Sequence, residues 1–474
     1  MEVRVEFIDN VWMRLHCEAG PAQELSDKFK FKFKEYDFLP KSKKRFWDGY
    51  VRLFSTTTHK IYRGLYYEVA QFCKDNNYQL SGEEPNLTNF SVKECQDFVE
   101  SLNLPFTPRW YQYKAFTDCV RNNRLFTLLP TSSGKTPLTY LLTRYYNEKT
   151  LILVPRLSLI HQTEQKFREY GFKEEIHTIF SGQERDTSAQ VYISTWQSVY
   201  DLPRDWFNQF HVIIGDEGHR FKAKCLKKLM EKTVNIPYRF GMTGTLDGAE
   251  VNEMTLIGLF GRIKKYLSTK DMIDQGYATP LRIQCVELKY PEEVSKIVSG
   301  MTYQQEIKWL YANDARNKFI KNLALSLDGN IIILYNYVDK HGKILYNEIK
   351  NEADNVFFVA GEVSGEEREK IRKKIQTLEK SITIASLGTF SEGIDIPNLH
   401  NVILTAPTKA PITLLQSIGR VLRLHHSKQV CTVIDLSDNL IYRGKANYTA
   451  KHFIERMKLY IKEGFPTQRY PVEL

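Results

Sequence analysis

The sequence predicts an α/β protein with two doubly wound parallel sheets in tandem and a small α+β domain ahead of them. Three observations predict this. From about residue 125 onward, short apolar runs alternate with helix-like stretches, the pattern of buried parallel strands joined by helices. The runs fall into two sets with a long charged stretch between them. Residues 1–100 lack that alternation and carry a concentrated basic segment instead.

The bulk numbers fit such a chain. Its 474 residues suit two to four domains, each with its own core. Composition is globular, 42% hydrophobic and 26% charged. No apolar run reaches the roughly eighteen residues of a membrane span, so none is expected. MEVRVEFIDNVWMRL carries charge throughout, unlike a secretory signal. The seven cysteines are scattered without a CxxC pair. That argues against a zinc site and suits buried thiols in a reducing cytoplasm, the host's if the source is viral. The net charge of +10 suits a polyanionic partner.

Taken in order, the first element of note is KFKFKFK, residues 28–34. Alternation of period two predicts a strand with Phe29, Phe31 and Phe33 on one face. Lys28, Lys30, Lys32 and Lys34 then form the other, which reads equally as a solvated face or as a row facing phosphates. Between Lys28 and Arg63 there are eleven basic residues and three acids, Glu35, Asp37 and Asp48. With a WDG turn at 47–49 and an amphipathic stretch near 66–73, residues 1–100 read as a small basic α+β domain.

The first set of runs is LFTLL (125–129), TLILVP (150–155), QVYIST (190–195), HVIIGD (211–216) and YRFGMTG (238–244). TLLPTSSGKTPL follows the first strand. Its Gly134-Lys135-Thr136 ends like a P-loop, although Leu129 stands where the pattern has glycine. The physical requirement is backbone N–H groups wrapping phosphates at a helix N-terminus. Ser132 and Ser133 line that turn through their amides, Lys135 neutralises phosphate charge, and the Thr136 hydroxyl suits Mg²⁺. Pro137 falls in the first helical turn, where a missing N–H costs nothing. Asp216-Glu217 follows the run Val212–Ile214, at the carboxyl end of a strand, where doubly wound sheets place ligands. Asp216 there suits Mg²⁺ and Glu217 suits polarising an attacking water. An acidic helix cap is the alternative reading of the acids.

A break at Gly-Tyr-Ala-Thr-Pro places a domain boundary near residue 275. The second set is NIIILYN (330–336), NVFFVAG (355–361), SITIAS (381–386), NVILTAP (401–407) and CTVIDLS (431–437). In QSIGRVLR (416–423), Arg420 and Arg423 lie three apart and would share a helix face. They read as arginine fingers reaching a γ-phosphate from the second domain, or as a surface basic helix. NYTAKHFIERMKLYIKEG (447–464) places Phe453, Ile454, Met457, Tyr460 and Ile461 at helical spacing, as a terminal helix docked on the second sheet. The division expected is thus 1–100, 101–275, 276–440, and a helical tail over 441–474.

GKT, DEGH, GMTGT and QSIGRVLR, in this order, resemble superfamily 2 helicases over roughly residues 105–437. FTPRWYQ (106–112) resembles the segment before the P-loop, with Gln112 in the place of the adenine-reading glutamine. LVPRLSL (153–159) and ISTWQS (193–198) resemble motifs that touch the nucleic-acid backbone, with Arg156 and Thr195 as contacts. ASLGTFSEGIDIP (385–397) resembles the motif that carries Gly393 and Asp395, with Thr389 as a further strand contact. The third motif is Thr243-Gly244-Thr245 rather than the more usual Ser/Thr-Ala-Thr. Closer still, the WDG-bearing basic N-terminus, the LPTS-x-GK loop, TWQ and QSIGRVLR–HHSK resemble bacteriophage UvsW-type helicases over nearly the whole chain.

The resemblance implies two RecA-like domains and an ATP- and Mg²⁺-dependent motor, with Gln416, Arg420 and Arg423 closing on the nucleotide. It implies branched DNA as substrate, both single- and double-stranded: Holliday junctions, D-loops, R-loops and stalled forks, in phage recombination, replication and repair. Recombination or single-strand-binding proteins would be its protein partners. An RNA or RNA–DNA hybrid helicase is the nearest alternative. A strand-annealing protein with a vestigial ATP site is an alternative of another class. The intact Lys135, Asp216, Glu217 and Arg423 argue against that one.

Overall fold

The computed structural model describes residues 1–33, 36, 47–180, 187–218, 224–393, 396–408 and 410–474. These divide into two compact units: Met1–Leu129 with Gly134–Leu267, and Pro130–Ser133 with Ser268–Leu474. The chain therefore leaves the first unit at Leu267, ahead of the Gly-Tyr-Ala-Thr-Pro break. Residues 1–100 group with the first parallel sheet rather than standing apart.

The N-terminal part of the first unit has strands β1 (Glu2–Phe7), β2 (Trp12–His16), β3 (Lys30–Lys32), β4 (Tyr50–Arg52), β5 (Lys60–Tyr62) and β6 (Gln79–Gly82). Four of them form a mixed sheet in the order β5-β2-β1-β6. Alternation places Val3, Val5, Met13 and Leu15 in its core. The KFKFKFK strand is shorter than its alternation suggests. Lys28 ends the helix Ala19–Lys28, and only Lys30–Lys32 pairs, antiparallel to β4. The helix persists to Lys28 because it closes with the Phe29 N–H on the Leu25 carbonyl, and Phe29 is buried beneath it. Lys34 lies outside the described residues.

The first parallel sheet comprises β7 (Arg124–Leu128), β8 (Thr150–Val154), β9 (Ile176–Ile179), β10 (Val191–Thr195), β11 (Val212–Gly215), β12 (Tyr238–Thr243) and β13 (Ile263–Lys265). Their order is β13-β7-β12-β11-β8-β10-β9. The five apolar runs are its inner strands. The edge strands β9 and β13 are half polar and carry no such run, which is why they were not legible. The second sheet comprises β14 (Leu281–Lys289), β15 (Asn330–Tyr335), β16 (Val356–Val359), β17 (Ser381–Ser386), β18 (Leu399–Leu404), β19 (Cys431–Asn439) and β20 (Thr467–Glu473). Their order is β16-β17-β15-β18-β19-β14-β20, all parallel.

The tail differs from a purely helical one. After the helix Tyr448–Lys462, β20 pairs with β14 and becomes the sheet's edge. TQRYPVE has alternating polarity and a proline, which suits an edge strand. The helix buries Phe453, Arg456 and Tyr460, whereas Ile454 and Ile461 are exposed. An arginine thus takes a core position that apolar spacing alone assigned to isoleucine.

Candidate active site

The site is built where β7, β11 and β12 end. Leu129, fully buried, continues β7 and donates its N–H to the Thr243 carbonyl of β12. The chain then turns sharply. Pro130 accepts both the N–H and the hydroxyl of Ser133, at 3.2 and 2.8 Å. Ser132 and Gly134 have φ of +67° and +84°. A left-handed serine costs about 1–3 kcal/mol, a strain that clusters at functional sites. Gly134 could not be otherwise, since a Cβ there would lie 2.4 Å from Gln112 Nε2. The helix Lys135–Tyr146 starts at once, so its free N–H groups open onto the loop. This is the geometry of a phosphate cradle, made without the first glycine.

Gln112 is buried, and both ends of its carboxamide are used. It accepts the Arg109 N–H at 2.7 Å and donates to the Gly134 carbonyl at 3.1 Å. It therefore braces the loop directly.

Asp216 and Glu217 follow β11 at the same edge. Glu217 has φ of +50°, again a left-handed non-glycine residue. Its N–H donates to Asp216 Oδ1 at 2.8 Å. The bend aims the Glu217 carboxylate at the loop: Oε1 is 3.7 Å from Lys135 Nζ, and Oε2 accepts from Thr243 Oγ1 at 3.5 Å. Side-chain exposure is 21% for Glu217 and 12% for Lys135, so water and ligand can reach both. Gly218 lets the acids come this close, because a Cβ there would strike the Phe126 ring at 2.4 Å. His219, the last residue of DEGH, lies outside the described residues. Thr243 stands in the third motif, but sequence alone assigns it no site role. Its signal was its place as the last residue of a buried strand beside the DEGH strand.

Comparison with known proteins shows the family. Residues 2–82 match the family of the N-terminal domain of DNA helicase UvsW. Residues 105–248 match the res subunit of type III restriction enzymes, and 315–425 the helicase conserved C-terminal domain. The ATP-dependent DNA helicase uvsW of Enterobacteria phage T4 is 35% identical over 496 residues, 98% of each chain. The chain belongs to the UvsW family of superfamily 2 helicases. The solved T4 UvsW structure aligns over 100% of both chains with a TM-score of 0.53 and 33% identity. The DNA 3'-5' translocase XPB2 of Sulfurisphaera tokodaii is 23% identical, covering 74% of this chain and 87% of that one. A type ISP restriction-modification enzyme bound to DNA shares the fold, with a TM-score of 0.58 at 15% identity over 85% of this chain and 34% of that one.

The remaining motif residues of this UvsW-family chain lie at strand ends and on the helices that follow them. Arg156 caps the helix Leu157–Glu169 after β8. Thr195 ends β10, with its hydroxyl 2.9 Å from that of Ser198. Thr389 follows β17 in the same arrangement, accepting from the Ser386 hydroxyl at 2.6 Å. Thr136 is half-buried in the first turn after the loop. Gly393 ends the helix Leu387–Gly393, and Asp395 lies outside the described residues. Gln416 and Arg420 are half-buried on the helix Pro411–Val421.

Arg423 does not share a helix face with Arg420. The helix stops at Val421, because Lys428, buried, donates to the Val421 carbonyl at 2.8 Å and caps it. Beyond the helix, the Arg423 carbonyl accepts from Thr279 Oγ1 at 2.9 Å. Ser132, grouped with this second unit, donates to the Gly419 carbonyl at 3.2 Å. Lys28 and Lys32 are exposed, while Lys30 packs 4.8 Å from the centre of the Tyr50 ring. Among the described residues, no cluster of three or more His, Cys, Asp or Glu could hold a metal by itself. No described helix is long and apolar enough to cross a membrane.

Proposed function

We propose that this chain hydrolyses ATP to move along and unwind DNA, remodelling branched substrates: Holliday junctions, D-loops, R-loops and stalled forks. The observation that carries the reading is the Glu217 carboxylate, held between Lys135 and Thr243 at the mouth of the phosphate loop. Lys135 and the free amides after Gly134 bind the β- and γ-phosphates. Glu217 orients the attacking water and draws its proton as the bond forms. Breaking the Lys135–Glu217 contact on ATP entry would free the carboxylate for that task. Gln112 reads adenine while keeping its bond to the loop.

Thr136 and Asp216 fit Mg²⁺, a hard cation that takes one or two carboxylates, hydroxyls and substrate phosphates rather than a dedicated protein cage. Bound there, Mg²⁺ would neutralise charge on the β/γ oxygens. Arg420 and Arg423 supply stabilising charge from the second unit, and Gln416 a neutral hydrogen-bonding amide. Gly393 and Asp395 belong to the same nucleotide-binding half.

Arg156, Thr195 and Thr389 grip the strand being tracked. In this reading residues 1–100 hold the duplex arms through Lys28, Lys30, Lys32 and Lys34. Residues 101–275 and 276–440 are the motor, and 441–474 brace its second half.

The test is ATP turnover and unwinding on a panel of junction, D-loop, R-loop, fork and linear substrates, with matched RNA forks. Stimulation by branched DNA above linear DNA and RNA supports the reading. Turnover indifferent to DNA, or undiminished in Lys135→Ala, would overturn it.

A further inference from the structure

A second concentration of positive charge lies at the amino-terminal end of β7, the end opposite the phosphate loop. A small, partly open concavity there is lined by Arg63, Tyr66, Tyr67, Asn122, Arg124 and Arg262, among others. Three distant segments of the first unit deliver the arginines. Arg63 comes from the turn Arg63–Leu65, Arg124 opens β7, and Arg262 precedes β13.

No described carboxylate pairs with any of them. Arg63 donates to the Asp9 carbonyl at 3.2 Å and to Asn10 Oδ1 at 3.1 Å. Arg124 reaches only the carbonyls of Phe260 and Leu259, both at 3.4 Å. Arg262 stacks 3.8 Å over Tyr67 and reaches Asn122 Oδ1 at 3.4 Å. A fourth guanidinium, Arg239, is fully buried nearby and bonds the Leu259 and Thr233 carbonyls, each at 2.8 Å.

Two of the nearby acids are already committed. Asp9 takes the N–H groups of Val11 and Trp12 at 2.7 and 2.8 Å, and Glu83 takes that of Phe7. Burial first, then the charges of Arg239 and Arg63, hold the Arg124 guanidinium well below its ordinary range, with only Asp9 opposing. The closing carbonyls of the helix Glu250–Phe260 supply about half a negative charge. Four guanidiniums therefore face three carboxylates, Asp9 and Glu83 beside Arg63 and Glu84 beside Tyr66, and a helix end. Arg239 is fully buried, Arg63 and Arg124 are half-buried and Arg262 is exposed, so the buried part of this charge is costly without a counter-ion.

We propose that this pocket binds a phosphate group. Guanidiniums arriving from three segments suit a tetrahedral anion with several acceptor oxygens better than a planar carboxylate. The phosphate is not the one being hydrolysed, because β7 separates the pocket from the loop after Leu128. It comes either from a free phosphate compound or from a nucleic-acid backbone. Its binding would tie the N-terminal sheet, through Arg63, to the first parallel sheet, through Arg124 and Arg262.

Asn122→Asp tests this by supplying an internal counter-ion next to Arg262. Thermal melting is followed against inorganic phosphate in a Lys135→Ala background, where the loop lysine cannot respond. The parent melting temperature should rise saturably with phosphate. Asn122→Asp should start higher without phosphate and need at least about tenfold more of it for the same rise. Arg262→Gln should also lose the phosphate response but should not start higher. Fork-DNA binding across salt is the second arm. A backbone phosphate in the pocket predicts lower fork affinity and a log K against log salt slope shallower by about 0.9 in Asn122→Asp. An unchanged fork isotherm with a lost phosphate response assigns the pocket to a free phosphate. Equal phosphate responses in parent and variants, with unchanged fork binding, overturn the proposal. With Lys135 present, Asn122→Asp should keep parental ATP turnover at saturating DNA, which separates this site from the motor.

Discussion

The strands β11 and β19 read alike and do opposite things. VIIGDE and VIDLSD are both apolar runs closing on acids, each in the middle of a parallel sheet. In β19, Asp435 and Asp438 are 0% and 1% exposed. Arg456 clasps Asp435 through two nitrogens, at 2.8 and 2.7 Å, and Tyr460 adds a third bond at 2.8 Å. Arg316 clasps Asp438 in the same way at 2.8 and 3.2 Å, with Tyr290 at 2.7 Å. Burial alone would pull both guanidiniums down, yet the facing carboxylates raise them above their ordinary range. After β11, Glu217 meets its lysine at 3.7 Å and a hydroxyl at 3.5 Å, within reach of water. A buried acid clasped by an arginine and a tyrosine is a strut, and one held loosely at a strained turn is available for chemistry.

Charge removal should therefore act on different observables in the two strands. Glu217→Gln should lower DNA-stimulated ATP turnover by about 10²–10⁴-fold, the usual loss on removing a general base, while leaving thermal melting within a degree or two. Asp435→Asn should do the reverse. It strands Arg456 in the core and should cost about 3–5 kcal/mol in denaturant unfolding, with turnover per folded molecule retained. Replacing both partners, as Asp435→Leu with Arg456→Met, should recover most of that loss. The contrast breaks if Glu217→Gln melts like Asp435→Asn.

This contrast also marks what the sequence could tell. Most inner strands are legible because burial on both faces leaves an unbroken apolar run, as in Ile331–Leu334; β14, an inner strand reading LRIQCVELK, breaks its run with polar residues and is not. The phosphate loop was legible because its chemistry is local: Gly134, Lys135 and Thr136 are consecutive, and the strand and helix around them follow directly. The struts were not, because Arg316 and Arg456 lie far along the chain from the acids they pair. The same distance hid the arginines around Asn122, which come from three segments. Arg423 reads as helical in sequence because nothing local shows that Lys428 ends the helix at Val421. The Gly134 carbonyl as a partner of Gln112 was equally invisible, since that bond depends on how the loop folds back.

Acid should separate the two units next. His341 is buried in the second unit, stacked 3.9 Å from the Tyr311 ring, with no partner on either ring nitrogen. Burial first, then the charge of Arg316, holds it well below its ordinary range, so it stays neutral when folded. The unfolded chain then binds the extra proton below about pH 6.5. Stability is full above that pH and falls as pH drops toward the folded value, by up to about 1.4 kcal/mol per unit. His400, also in the second unit, shifts the same way through burial. The second unit should lose stability between pH 6.5 and 5, and His341→Phe should flatten the dependence. An unchanged slope in His341→Phe would place the acid sensitivity elsewhere.

The smallest expected effect concerns the paired hydroxyls. Thr195 with Ser198, and Ser386 with Thr389, repeat one strand-to-helix turn in the two sheets. Thr195 is half-exposed and Thr389 is 8% exposed, so the first is the better placed to meet a phosphate. Thr195→Ala should weaken single-strand binding by about 1 kcal/mol, roughly fivefold, the net worth of one hydrogen bond. Thr389→Ala should lose less binding. Neither should change the salt dependence, because a hydroxyl releases no counter-ion. Lys32→Gln, removing an exposed charge from β3, should do so, making the slope of log K against log salt shallower by about 0.9 on forked DNA. A shallower slope in Thr195→Ala would mean that its loss displaces a charged contact, with Arg156, at the end of the neighbouring β8, the first to examine.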